Sequence, residues 1–429
     1  MQGSMAQAAP LHVAVIGAGV IGASTALALL ADGHRVTLLD PAAPGGRQAA
    51  SFGNGAFISP ASVIPMSHPG IWRKVPGYLL DPAGPLTIRW RDAPRLAPWV
   101  WRFVMAGRSA AHVERTACAL AALLGEAPRQ HLGIAERIGR PDLIRQDGLI
   151  HVFTDRAAYE AEAPAWTLRR RLDVRIAEMS EAELRERLPE LSQHYRFGIR
   201  VVDGAHCTDP GGYVAAMLGW ARRQGAVLRR ASVTGFRVEE GKLRALRCGA
   251  DELDCDRAVI ACGIGARDLA RAAGDRIPLQ SERGYHVEIA DPPIRPECPV
   301  MPQEGRMANV VTQGGFRAAG QVELASPHAA PDWRRAEILL AHLRRSWPAL
   351  NDVAEAQVSR WMGHRPSTPD GRPVIGPASG ATDIIHAFGH GHIGLAAAPM
   401  TARLVADLLA GRAGPVDLSP YAPTRFRRG

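Results

Sequence analysis

Lysine is nearly missing from this chain of 429 residues: Lys74 and Lys242 are the only two, and arginine supplies the other basic side chains. The resulting net charge of +9 does not describe a nucleic-acid surface. The arginines are scattered among 42 acidic residues, and no zinc-finger or RNA-binding signature accompanies them, which excludes nucleic acid as a partner. Cysteine is scarce too. Cys118, Cys207, Cys248, Cys255, Cys262 and Cys298 include no C-x-x-C pair, so a disulfide scaffold is excluded and free thiols in a reducing compartment are expected. His364, His390 and His392 lie close in sequence, but neither carboxylate nor cysteine completes a ligand set with them, and no metal is expected. Residues 1–10 lack the basic start and apolar core of a secretory leader. Met1-Gln-Gly-Ser ahead of Met5 reads as an appended tag, residues 1–10 as a disordered tail, and a cytoplasmic location follows. Only residues 13–31 are apolar enough to suggest a membrane span, and three glycines with Ser24 and Thr25 fit a strand, turn and helix better.

With 46% hydrophobic and 22% charged residues, the composition is that of a globular protein long enough for two domains. The most informative stretch is VAVIGAGVIGASTALALLADGHRVTLLD, from Val13 to Asp40. An apolar strand, Val13–Ile16, runs into Gly17, Gly19 and Gly22, the G-x-G-x-x-G of a turn from strand to helix. Gly17 suits the tight turn, Gly19 lets backbone approach a pyrophosphate, and Gly22 with Ala26 lets the helix lie close to the sheet. The helix N-terminus then faces the anion. Gly33 ends the helix, 35–39 reads as a second strand, and Asp40 stands where a carboxylate accepts a ribose hydroxyl. An acid there, rather than an arginine for a 2′-phosphate, points to FAD or NAD over NADP.

Further along, Ser51-Phe52-Gly53-Asn54-Gly55-Ala56 is a second small-residue stretch that lets backbone lie against a flat ring or diphosphate. Residues 71–108 are rich in Trp (72, 90, 99, 101) and Arg, with helical spacing from Leu96, and leave room for a peripheral membrane contact. A helix is expected over 109–138, a strand over 148–153, and charge-rich helix through the next fifty residues. Thr208-Asp209-Pro210 opens a helix to Arg223; short strands follow, among them 233–238, and residues 258–265 form a buried strand entering a glycine turn. Cys262 in that turn reads as a small core residue. From Ile277 to Trp361 the pattern becomes period-two, as in an antiparallel sheet and a separate domain. Residues 363–371 read as a turn-rich segment in which Pro366 holds Arg365 extended. A final strand, 384–388, leads through Gly389-His390-Gly391-His392-Ile393-Gly394 into a helix to Leu409, whose N-terminal dipole suits a ring carbonyl that gains negative charge.

Taken together, GAGVIG, SFGNGAFISP with VIPMSHPG, RGYHVEI, WMGHRPSTPDGRPVIG and FGHGHIGL resemble the FAD-dependent D-amino acid oxidase superfamily, nearest its bacterial D-amino acid dehydrogenases of small-subunit type. The resemblance implies an α/β fold. A Rossmann-like FAD-binding domain would be assembled from segments 11–70, 200–275 and 362–429, and an antiparallel-sheet substrate domain of α+β type from 71–199 and 276–361. It implies FAD contacts from Gly17, Ala18, Gly19, Val20, Ile21, Gly22 and Asp40, from Ser51, Asn54 and Gly55, from Val233, Ala261 and Gly263, and from Gly389, His390, Gly391, Ile393, Gly394 and Leu395. The arginine of G-x-R-P, Arg365, would bind the substrate carboxylate; Tyr285 would be a hydrogen-bond donor or lid, and His286 and His392 side-chain or amine contacts. No cysteine lies in 361–371, where some sarcosine oxidases tether their flavin, so noncovalent FAD is implied. The implied reaction is hydride removal from the α-carbon to flavin N5, giving an imino acid that hydrolyses to keto acid and ammonia. Glycine, sarcosine and cyclic imino acids such as D-proline or hydroxyproline are alternative substrates. An electron-transfer subunit of a larger complex and an NAD-dependent dehydrogenase are readings of other kinds. A quinone, a protein or oxygen would accept the electrons, and the inner face of the plasma membrane is a place where the protein could dock.

Overall fold

In this computed structural model, residues 9–71, 77, 81, 84 and 86–427 are described; Trp72, Lys74 and most of the expected N-terminal tail lie outside them. The apolar runs that are continuous in sequence become a parallel sheet buried on both faces. Its order is Val227–Arg230, Arg35–Asp40, His12–Ile16, Arg257–Ile260 and Ile384–Phe388, with Val374–Pro377 closing one edge antiparallel. The helix Val20–Ala31 is buried almost all round because it is covered by the helices Gly394–Leu409 and Pro210–Arg223, which accounts for its membrane-like hydropathy. Among the described residues no helix is long and apolar enough to cross a membrane.

The period-two segments join Leu86–Ile88, Leu149–Phe153, Ile176–Met179 and Phe197–Val201 in a second sheet, nine strands among the described residues, in which Val358–Ser367, Gln280–Ile289, Gly315–Leu324 and Ala308–Thr312 lie side by side. On Gln280–Ile289 the odd residues Tyr285, Val287 and Ile289 enter a core with the helix Arg334–Ser346. The even residues face the parallel-sheet side, where His286 meets Gly53 and Glu282 meets His392.

Several expected elements differ. The helix read over 109–138 is two, Ala110–Leu124 and Ala127–Arg137, broken where Pro128 starts the second. Both pack with Val13, Leu27 and Leu395 in the parallel-sheet core rather than in the unit to which 71–199 was assigned. His131 joins them to that core: its Nε2–H donates to the Leu395 carbonyl (2.9 Å), so Nδ1 accepts from the Tyr213 hydroxyl (3.0 Å). Burial pushes this imidazole down to about 4. The charge-rich region after 153 alternates helices with the strands Ile176–Met179 and Phe197–Val201. The supposed turn at 363–371 is strand as far as Ser367, and Val233 falls in a loop before Gly235–Glu239.

Candidate active site

At the carboxyl edge of the parallel sheet, Gly17 adopts φ +106° and donates its N–H to the Leu39 carbonyl at 2.8 Å. A Cβ at Gly17 would lie 2.6 Å from the Cys262 Cα, and one at Gly22 would lie 1.9 Å from the Gly17 carbonyl oxygen. These two glycines are required by the chain's own packing. Gly19 is not: a Cβ there would meet only the Ser51 Oγ, at 3.6 Å. Space therefore remains above Gly19, at the N-terminus of a helix whose first turn carries neither a capping side chain nor an acid. Its first-turn N–H groups, from Val20, Ile21 and Gly22, have no carbonyl four residues back within the helix.

Asp40 ends its strand beside this space, but both of its oxygens already accept backbone N–H groups, Oδ2 from Ala18 (2.8 Å) and Oδ1 from Ala42 (2.9 Å). The carboxylate thus ties the glycine turn to the end of its own strand, and a ribose hydroxyl has only its remaining lone pairs to reach. Ala261, whose N–H donates to the Ile16 carbonyl, and Gly263 line the same edge. Val233 lies in the loop after Val227–Arg230, the strand paired with the one that ends at Asp40.

The second small-residue loop is held from the antiparallel sheet. Arg317 donates to the carbonyls of Phe52 (3.1 Å) and Asn54 (3.0 Å) and is paired with Glu288 at 3.0 Å, the arginine being buried and the carboxylate partly so. Asn54 Oδ1 accepts the Ala56 N–H, which stabilises a left-handed Ala56 at φ +60°. His286 donates Nδ1–H to the Gly53 carbonyl (3.2 Å) and stacks on Trp361. Burial and the nearby Arg317 push His286 down to about 3, so it is neutral and supports the loop. Opposite, Gly389 turns the final strand at φ +83° into the 391–393 turn and the helix Gly394–Leu409. His390 is turned inward to the Thr401 hydroxyl at 2.9 Å, and burial lowers it to about 3.

Arg365 stands between these loops. Its guanidinium lies over Gly284, where a Cβ would come within 2.3 Å of Cζ, and donates to the carbonyls of Gln321 (2.8 Å) and Gly320 (3.2 Å). Those carbonyls are presented where the Gly315–Leu324 strand shifts register and Gln321 takes φ +57°. Burial lowers the Arg365 guanidinium from its ordinary range, and the Glu282 carboxylate opposes that shift. Glu282 is directly across the strands from Arg365, and its Oε2 accepts from His392 Nε2–H at 2.8 Å.

Tyr285 requires a correction. Adjacent strand residues point to opposite faces, so Tyr285 and His286 cannot both look toward Arg365. Tyr285 is the one turned away: it is 1% exposed, its hydroxyl donates to Glu323 Oε2 (2.5 Å) and accepts the Asp332 N–H (3.0 Å). Tyr285 is therefore a core residue on the face away from Arg365, and the expected donor or lid role does not fit its position. Glu282, Trp361 and the Arg317–Glu288 pair were not read from sequence. Glu282 had one available signal, an acid on the same strand parity as His286 and Glu288, opposite the parity of Tyr285, Val287 and Ile289.

A family model described as FAD dependent oxidoreductase matches residues 12–408. The chain belongs to the FAD-dependent oxidoreductase family. It is 46% identical over 416 residues to the D-amino-acid oxidase of Bradyrhizobium diazoefficiens, an alignment covering 97% of this chain and 99% of that protein. A D-amino acid dehydrogenase of Paramagnetospirillum magneticum is 28% identical over 427 residues, with 97% and 99% covered. Among solved structures, glycine oxidase from Geobacillus kaustophilus superposes with a TM-score of 0.75 over 97% of this chain and 100% of that one; at 20% identity this is a likeness of fold. The cradle fits FAD of this family. Room above Gly19, an uncapped helix start beside it and the small-residue loop that begins there at Ser51 suit a dinucleotide with a flat ring.

Proposed function

We propose that this FAD-dependent oxidoreductase oxidatively deaminates D-amino acids with noncovalently bound FAD. The observation that carries the reading is Arg365, a guanidinium fixed by two main-chain carbonyls on the sheet face that looks toward the FAD cradle. Its other N–H groups have no protein acceptor among the described residues, and a substrate carboxylate can take them as a bidentate pair. The D-amino-acid oxidase of Bradyrhizobium diazoefficiens, similar over nearly its whole length, supports the substrate class. The two-electron chemistry is FAD's: hydride removal from the α-carbon, leaving an imino acid that water hydrolyses to keto acid and ammonia.

The chain's own residues supply position and environment. Gly17 to Gly22 and Asp40 would hold the diphosphate and ribose, with Val233, Ala261 and Gly263 beside them. Ser51, Asn54 and Gly55, with Gly389, His390, Gly391, Ile393, Gly394 and Leu395, would hold the ring, within segments 11–70, 200–275 and 362–429. Arg365 would bind and orient the carboxylate, so that the α-hydrogen faces the ring in a near-attack geometry. Trp361, whose indole lies over Gly363 next to Gly284, would exclude water from the floor of the site. A membrane contact, if made, would use exposed Trp90 and Trp101 with exposed Arg91 and Arg95.

The test is the visible spectrum of purified protein under anaerobic conditions. Flavin absorbance should bleach on addition of D-alanine and stay unchanged with L-alanine; a flavin that no D-amino acid reduces overturns the reading. Glycine, sarcosine and D-proline belong in the same panel, and readmitted oxygen against a soluble quinone identifies the acceptor.

A further inference from the structure

We propose that Glu282 and His392 form the amine end of the site: His392 Nδ1 takes a proton from the substrate's ammonium group, and Glu282 is the positioning carboxylate that holds the ring in the tautomer able to do so. This rests on the reading of a D-amino acid held by Arg365. An amino acid carries its anionic and cationic groups on neighbouring atoms. The site carries the complementary charges side by side, because strand register puts Glu282 directly opposite Arg365 on one face.

The hydrogen bonding divides the work. Arg365 does not bond Glu282; its donors go to Gly320 and Gln321, so the direct partner of the buried carboxylate is His392. An ionised carboxylate accepts only, hence Nε2 of His392 carries the hydrogen and Nδ1 is left with its lone pair. Nδ1 has no protein partner among the described residues, and the His392 side chain is 38% exposed while that of Glu282 is 5% exposed. The groups facing Glu282 are His392 from the 391–393 turn and Arg365 with Ser367 from the neighbouring strand; the Gly315–Leu324 strand contributes the main-chain carbonyls beside Arg365. His390 on the same turn is tied to Thr401, and His286 on the same strand to Gly53. Burial alone would raise the Glu282 carboxyl, but the hydrogen bond from His392 and the positive charge of Arg365 outweigh it and hold the group below the usual carboxylate range.

The proton step balances simply. One N–H bond of the ammonium breaks, the proton bonds to Nδ1, and the substrate nitrogen keeps the electron pair that hydride removal from the adjacent carbon requires. The imidazolium so formed lies against an ionised carboxylate, and its exposed edge returns the proton to water.

The test compares wild type, His392→Asn and Glu282→Gln, with D-alanine as substrate and propionate, the same acid without its amine, as competitive inhibitor. His392→Asn should bind FAD normally and lower kcat/KM at neutral pH by about 100- to 10,000-fold, the range for a positioned base. The loss should shrink as pH rises and free amine accumulates, and added imidazole should restore part of it, while the inhibition constant of propionate stays unchanged. Glu282→Gln should move the acid limb of kcat/KM to lower pH, because the charge favouring the protonated ring is gone, and should not weaken propionate. Variants that keep FAD and the wild-type pH profile overturn the proposal. So does a Glu282→Gln variant that weakens propionate and D-alanine by one common factor, which would make Glu282 a support for Arg365 only. Should Glu282→Gln fail to fold, the pH profile and imidazole rescue of His392→Asn decide alone. A wild-type flavin that D-alanine and other D-amino acids leave oxidised is a different failure, that of the substrate reading itself.

Discussion

At the scale of single residues, the site turns on which face of a strand a side chain takes. Removing Arg365 would leave a substrate carboxylate buried without its partner, a loss of about 2–5 kcal/mol. Arg365→Ala is therefore expected to lower kcat/KM by roughly 30- to several-thousand-fold while FAD content, read from the spectrum, stays normal. Arg365→Lys should recover only part, since an ammonium lacks the planar fork. Tyr285→Phe should do the reverse. It strips the Glu323 carboxylate and the Asp332 N–H of a buried partner, so denaturant titration should show about 1–3 kcal/mol less stability with kcat almost unchanged. Arg365 was legible because G-x-R-P is a local pattern and proline keeps the residue before it extended. Tyr285 was misread because a motif names residues without saying which face they take. Glu282 went unread because its meaning comes from Arg365, more than eighty positions away in sequence and adjacent only through strand register.

Among elements, the glycine-rich turn separates fold from ligand. Gly22→Ala must displace the Gly17 carbonyl, a backbone atom 1.9 Å from the new Cβ, and should fail to give folded protein. Gly19→Ala has room within the chain and should fold with a near-normal melting temperature but retain less FAD, measured as the ratio of flavin to protein absorbance. Equal flavin content in Gly19→Ala and wild type would remove the diphosphate from that space. The strand, turn and helix around these glycines were readable because each signal is local. The break at 125–126 was not, although Pro128 could have marked a new helix start. Ile176–Met179 was hidden because an edge strand with exposed Ala177 and Glu178 looks, in composition, like the charged helices beside it.

Across the whole molecule, the two sheets are fastened where the chain passes between them. Asp370, just beyond the Arg365 strand, receives Arg425 from the C-terminal segment at 2.9 Å and Arg372 at 2.8 Å. Burial would raise the Asp370 carboxyl, but the charges and hydrogen bonds of Arg425 and Arg372 prevail and lower it. A carboxyl lowered on folding contributes stability that is fully present above its unfolded value, about 3.9, and is lost as pH falls through the lower folded value. Melting temperatures across an acid pH series should therefore fall for wild type below about pH 4, and Asp370→Asn should be less stable at neutral pH and respond less to that fall. The continuous strand Val358–Ser367 has a consequence of its own. Trp361, packed on the loop proposed to hold the ring, and Arg365, proposed to hold the substrate, are four residues apart on one extended backbone, a span of roughly 13 Å. The strand works as a gauge block, setting ring and clamp to one separation however large the guest. Tolerance for different side chains must then come from the walls around that fixed length, and selection for new substrates should leave 361–365 untouched.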